Sequence, residues 1–330
     1  MKEKEYELDD EQLTTDEASS LEEEDARFGF NRIYMIELLY KNKPELSESV
    51  LYDKIVQYTG KTDRPQQEDE QPEEGLAVWK ANEEESAQTG MRLFFHFNYM
   101  VKLKDGEIPA QTCIMPADKK IEPEAYTTAI QQAWHWQEAG ETVEQCRYSL
   151  LLHDFLAAQL PHEQRLQLIN GVLRAVLETA PCDAVYFRAS DKLVQPDACL
   201  AAIAEGEALY GAMSVRFYNV ERPEIGRSEM LMDTLGLAAL GVPDVQCHYY
   251  DMEPNDVASF VGDIGYYLFH NGDIIGDGET VGPTENEKWL CEHQYALAAP
   301  QRVVLDLNPG PDYYAGRQHH EERQQAGEQE

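Results

Sequence analysis

Acidic residues in this chain are gathered into three stretches, and that gathering decides where a fold can form. Residues 1–26 carry 12 acidic and 2 basic side chains, residues 61–90 carry 9 and 3, and residues 309–330 carry 5 and 2. Together they hold 19 of the 35 excess negative charges, leaving 16 on the rest of the 330-residue chain. Segments this charged and this poor in bulky apolar side chains cannot bury enough surface to offset chain ordering. The sequence therefore predicts a disordered acidic tail over 1–27, a globular region over 28–308 broken by a polar insertion at 61–90, and a disordered polar tail over 309–330.

Between those stretches the apolar residues fall into short runs. Arg32–Tyr40, Leu93–Val101, Thr112–Met115, Cys146–Leu156, Asp183–Arg188, Met213–Val220, Val245–Tyr250, Trp289–Leu297 and Val303–Leu307 read as strands, rich in β-branched, aromatic and aliphatic residues. Helical spacing appears from Pro44 to Gly60, through Leu46, Val50, Leu51, Ile55 and Tyr58. It recurs from Pro123, with Tyr126, Ile130, Ala133 and Trp134 on the expected inner face, and from Pro161, with Leu166, Ile169, Val172, Leu173, Val176 and Leu177 as the stripe. Glu163, Arg165, Gln167, Asn170 and Arg174 fall off that stripe. A short helix is expected from Pro196, and a longer one from Pro254 with Val257, Phe260, Val261, Ile264 and Leu268 facing inward. Asn271-Gly272 and Asp277-Gly278 are turn dipeptides expected to bracket a short strand. Irregular alternation with tight turns points to an α+β fold of mixed, mainly antiparallel sheets with packed helices, rather than a doubly wound parallel sheet. The rhythm suggests two similar lobes, about 28–208 and 209–308.

The chain shows no apolar run long enough to span a bilayer, and Met1-Lys2-Glu3-Lys4-Glu5 opens neither a signal nor a transit peptide. A cytoplasmic location is the expectation. The six cysteines, Cys113, Cys146, Cys182, Cys199, Cys247 and Cys291, form no Cys-x-x-Cys pair, which suits reduced, buried thiols. The acidic field repels nucleic acid and anionic membranes and attracts basic surfaces, so the expected partner is a basic protein. Oligomeric state is left open by the sequence.

Catalytic patterns are sparse. Glycine-rich phosphate loops, a Gly-x-Ser-x-Gly elbow and His-Glu-x-x-His are all missing from the sequence. Asn271, Asp273, Asp277 and Glu279 miss the spacing of a calcium loop, because Gly276 precedes Asp277 instead of following it. His319-His320 stands in the polar tail. No cofactor and no metal are expected. Asp244 and His248 are the best acid–base pair, yet on an extended strand they lie about 13 Å apart. Cys247 points to the face opposite His248, which disfavours a Cys–His dyad, and His153 and Asp154 likewise point opposite ways.

Asp233-Thr234-Leu235-Gly236-Leu237-Ala238-Ala239-Leu240-Gly241-Val242-Pro243-Asp244-Val245-Gln246 resembles the signature of the bacterial family catalogued as domain of unknown function 4261. A Thr-x-Gly-Leu-x-x-Leu-Gly-x-Pro-Asp/Glu segment lies in the second half of its members. Asp277-Gly278-Glu279-Thr280-Val281-Gly282 resembles that family's later Asp-Gly-x-Thr-x-Gly turn. Asp183–Phe187 with Leu193–Pro196 resembles its middle strand and loop, with Phe187 where a tryptophan is common. The order of elements agrees from about 28 to 308. The resemblance implies a domain identity and no established activity. It singles out Thr234, Gly236, Gly241, Pro243, Asp244, Asp277, Gly278, Thr280 and Gly282. In physical terms the glycines suit close packing or a special backbone angle, and Thr234 and Asp244 suit caps on a short helix. The leading expectation is a non-enzymatic binding or accessory module, of the acidic partner-binding or immunity type. The alternative is a hydrolase-like or transferase-like enzyme with a site near the Thr234–Asp244 loop.

Overall fold

The computed structural model describes residues 29–63, 90–104, 106–117, 119–222, 226–284 and 286–316. The expected tail 1–27, the start at Phe28, most of the 61–90 insertion and His319-His320 lie outside the described residues.

The fold is α+β, with seven helices and two mostly antiparallel sheets among the described residues. Chain order is β1 (Met35–Tyr40), α1 (Glu48–Thr59), β2 (Thr62–Asp63), β3 (Arg92–Leu103), β4 (Gly106–Pro116), a 3-10 turn (Pro123–Tyr126), α2 (Thr127–Gln132), α3 (Ala139–Gln145), β5 (Tyr148–Phe155), α4 (His162–Thr179), β6 (Ala184–Phe187), β7 (Lys192–Val194), α5 (Pro196–Glu205), α6 (Leu209–Ala212), β8 (Ser214–Arg222), β9 (Arg227–Leu235), a 3-10 turn (Ala238–Leu240), β10 (Asp244–Tyr249), α7 (Pro254–Asn271), β11 (Thr280–Val281), β12 (Trp289–Tyr295) and β13 (Val303–Asn308). The first sheet runs β2-β3-β4-β5-β1-β6-β7 and the second β11-β12-β13-β10-β9-β8. Among the described residues the ladders are antiparallel except β10 against β13.

β1 sits inside the first sheet, paired to β5 and β6. Both its faces are buried, which is why its apolar run is almost continuous. Ile36, Leu38 and Tyr40 join a core shared with α1, α4 and the second sheet, whereas Leu39 joins a smaller cluster with Tyr126, Trp136 and Val143. Helix α7 lays Val257, Phe260, Val261, Ile264 and Leu268 into the larger core, as its stripe predicts.

Several expectations need correction. Helix α1 starts at Glu48 after Ser47, so Pro44 lies outside it, and Val50 is exposed while Leu51 and Ile55 are buried. Thr62 and Asp63, expected in a loop, pair with His96 and Phe95. β4 runs for 11 residues, well beyond Thr112–Met115. Trp134 lies past the end of α2 and is 74% exposed, and Trp136 takes the inner place. Strands β7 and β9 were not expected. No strand lies between the two turn dipeptides: β11 begins after the second. In the expected tail, residues 309–316 are attached through Tyr314, which bridges to Tyr249, and through the Ala315 amide, which donates to His248 O at 2.9 Å, while 317–330 lie outside the described residues.

Arg165 and Asn170, read as off the stripe of α4, are buried. Arg165 is held by Asp154, Nε to Oδ2 at 2.5 Å, and Asp154 also accepts the Tyr34 amide at 2.7 Å. Removing one partner of such a pair strands a buried charge, so Arg165→Ala should lower the unfolding free energy by roughly 3–5 kcal/mol, measured by urea titration. His96 supplies a second test. Its ring is buried between Thr112 Oγ1 at 2.8 Å and Thr59 Oγ1 at 3.2 Å, and burial lowers its pKa from 6.5 to about 3. The unfolded chain binds the proton more readily, so this contribution is complete above pH 6.5 and is lost as pH falls toward 3, by up to about 1.4 kcal/mol per pH unit. Replacing His96 by Gln should flatten the stability profile in that window; an unchanged slope would contradict the assignment.

Candidate functional site

The Asp233–Asp244 segment leaves the end of β9, turns at Gly236, makes the 3-10 turn and re-enters the sheet as β10. The first amides of a helical turn have no partner within it. Here Asp244 supplies them from the far side of the loop. Its carboxylate accepts from Leu237 N at 3.1 Å, from Gly236 N and Ala238 N at 3.4 Å, and from Thr234 Oγ1 at 3.0 Å. Thr234 Oγ1 in turn accepts the Val245 amide at 2.8 Å. Asp244 is therefore the cap of the short helix. Thr234 does not cap it, and ties Asp244 to the base of β10 instead.

A chain of alternating charges runs through this loop. Arg216 on β8 grips Asp233 through Nε at 2.8 Å and through Nη2. Asp233 also accepts Arg302 Nη2 at 2.9 Å, and Arg302 Nε reaches Asp244 Oδ2 at 2.9 Å. The remaining guanidinium donors are taken by carbonyls: Arg302 by Thr234 O, Ala298 O and Pro300 O, and Arg216 by Ala299 O. All four side chains are buried. Burial pushes the Asp244 carboxyl up, against the opposing pull of Arg302. Two cations and two carboxylates balance, and every group is committed within the protein, so the arrangement holds four chain segments together and leaves no carboxylate open to a substrate.

Glycine is required here for space. Gly236 has φ +128°, and an added Cβ would stand 2.0 Å from Ala212 O. Gly241 is left-handed at φ +84° and closes the turn, with Pro243 buried behind it. The Asp277–Gly282 turn lies elsewhere, at the outer edge of the second sheet, with β12 and β13 between it and β10. Asp277 accepts the His293 amide and its Nδ1, both at 2.7 Å, and Asp273 takes Nε2 at 3.0 Å. The two carboxylates raise the His293 pKa. They bind opposite edges of the ring and do not converge on a common point. Gly278 continues the ladder by donating to Cys291 O at 2.9 Å, Thr280 is exposed on β11, and a Cβ at Gly282 would fall 1.7 Å from Glu287 O.

The proposed Asp244–His248 pair is not formed. His248 Nε2 lies 3.0 Å from Glu229 Oε2, with both side chains buried, and Arg227 binds the other oxygen of Glu229. Cys247 is fully buried, and burial drives its thiol well above the usual range. Asp154 belongs to Arg165, and His153 Nδ1 meets Asp154 O at 3.1 Å. Among the described residues no group of three or more His, Cys, Asp and Glu side chains is arranged to hold a metal ion, and no helix is long and apolar enough to cross a membrane.

A cleft of about 380 Å³ opens elsewhere, where the edge strand β7 of one sheet approaches the edge strand β8 of the other. Gln132, in its wall, pairs with both Phe217 N and Phe217 O at 3.1 Å, as a neighbouring strand would. Trp134, His135, Asp191, Lys192, Asp263 and Tyr266 are in its wall. Lys192 Nζ donates to Met213 O at 3.1 Å and to Tyr210 O, and burial lowers its pKa to about 8. None of the residues from the Asp233–Gln246 segment or the Asp277–Gly282 turn lines this cleft. Sequence reading misses it because its wall comes from four separated segments.

Residues 233–308 match the model of the family described as Domain of unknown function (DUF4261). The match takes in the Asp233–Gln246 segment and the Asp277–Gly282 turn and ends with β13, while Arg216 and Asp183–Pro196 lie outside it. Comparison with curated proteins and with solved structures gives no significant match.

Gly236→Ala should destabilise by about 3 kcal/mol or more, because backbone must move to admit the Cβ. Gly241→Val, whose new Cβ would meet only Phe30 at 3.5 Å, should cost roughly 1–3 kcal/mol in backbone strain. Urea unfolding ranks them, and parental stability in Gly236→Ala would refute the close-approach argument.

Proposed function

We propose that the chain is a cytoplasmic, non-enzymatic binding or accessory module that recruits a basic protein, of the partner-binding or immunity type. One observation carries the reading: the ionisable residues of the Asp233–Asp244 segment are buried and paired with Arg216 and Arg302, while the chain as a whole keeps 35 excess negative charges. An enzyme using the Thr234–Asp244 loop needs a group that can meet a substrate, and there Asp244 is already surrounded by five donors. A surface of this charge favours basic partners and speeds their encounter.

The reading is tested by capturing partners on the full-length protein and measuring binding kinetics at low and physiological salt, with and without residues 1–26. A basic protein should be recovered, and its association rate should fall as salt rises, since exposed charges are screened beyond roughly 8 Å at physiological ionic strength. Trimming the acidic end should slow association more than it speeds dissociation. A salt-insensitive partner, or tight binding to nucleic acid, would defeat the proposal.

A further inference from the structure

We infer that the cleft between β7 and β8 is the seat for one cationic side chain, a lysine or arginine, of the basic protein partner. This rests on the binding reading above and adds a location to it.

The first support is Trp134. Its indole is 74% exposed, although the neighbouring Ala133 and Trp136 are buried. An exposed tryptophan face beside a concavity is the strongest aromatic platform for a cation. Tyr266 adds a second ring from α7, held by its hydroxyl to Glu207 Oε2 at 3.4 Å.

Charge is the second support. Asp263, exposed and one helical turn before Tyr266, and Asp191 both contribute to the wall. Asp191 has a backbone φ of +47°, uncommon for a residue with a Cβ, and Tyr186 OH fixes one of its oxygens at 2.7 Å. A strained, tethered carboxylate is a preset acceptor. Lys192 is the cation in the wall, and its ammonium is turned onto the carbonyls of Tyr210 and Met213. Partial burial and the charge of Lys192 lower the pKa of His135. The wall therefore presents two carboxylates against one internally bound ammonium, within a strongly negative molecule. An anion would face both carboxylates, and a purely apolar occupant would desolvate them without a partner. A cation gains from rings, carboxylates and the long-range field together.

The test titrates full-length, isotope-labelled protein with the peptide acetyl-Ala-Arg-Ala-amide and follows backbone and indole NMR signals. The isosteric peptide carrying citrulline in place of arginine is the neutral control. Saturable shifts should appear at the Trp134 indole and around Lys192 and Asp263 with the arginine peptide, and not with the control. Trp134→Ala and Asp263→Asn change exposed side chains, so both should melt like the parent, and each should weaken binding about three- to thirtyfold, the range of a single cation–π or charged contact. Shifts spread over the acidic surface, no shifts at all, or parental affinity in either variant would overturn the assignment. If a captured basic partner binds Trp134→Ala as tightly as the parent, the cleft assignment falls and the wider binding reading stands. If capture yields no basic partner, the wider reading falls on its own test.

Discussion

The chain Arg216–Asp233–Arg302–Asp244 is the interaction on which the second sheet depends. Burying four charges carries a large desolvation penalty, and their mutual attraction offsets it only when geometry is good and the remaining donors are taken. Both conditions are met, because backbone carbonyls absorb the guanidinium groups that the carboxylates do not. The four residues come from β8, β9, the start of β10 and the approach to β13. A register slip by one residue in any of these would turn a charge away from its partner. The network thus specifies the arrangement of the sheet, including the parallel pairing of β10 with β13, which a hairpin cannot set.

The same network explains what the sequence conceals. β1, β5, β10 and α7 announce themselves through apolar runs or stripes, because their inward positions are aliphatic or aromatic. β9 does not: Glu229 and Asp233 are charged and nevertheless buried, so alternation fails where the strand is most constrained. Arg165 misleads in the same way, since polarity alone places it outside the core while Asp154 draws it in. β7 spans three residues and offers no pattern. Tyr314 sits in a polar tail that reads as solvated, yet its hydroxyl reaches the buried Asp306 carboxylate at 2.7 Å. The motif was legible as caps and tight turns; that Asp244 caps the loop from its far end, with two arginines behind it, depends on partners 28 and 58 residues distant, at Arg216 and Arg302, which local spacing cannot reveal.

On the proposed reading, structure and recognition are separated in this molecule. The motif stretch serves as scaffold, with its polar groups satisfied internally. The concavity with exposed aromatic and acidic side chains lies where the edges of the two sheets meet, built from segments that the family match only partly covers. Gln132 pairs along the edge of β8 as a strand would, and Lys192 binds the end of α6 through the carbonyls of Tyr210 and the following Met213. Each stabilises the junction while shaping the cleft, so the fold positions the exposed rings without drawing on the ion chain.

The most direct measurement of the central claim is a double-mutant cycle on Asp244 and Arg302, with Asp244→Asn, Arg302→Met and the two combined, read as unfolding free energy in urea. Each single change should destabilise strongly by leaving the other partner buried without its counter-charge. The double variant should be less destabilised than the sum of the two, by roughly 1–3 kcal/mol of coupling. Additive effects near zero, with both single variants as stable as the parent, would show that the ion chain does not hold the sheet and would return the motif to candidacy as a working site.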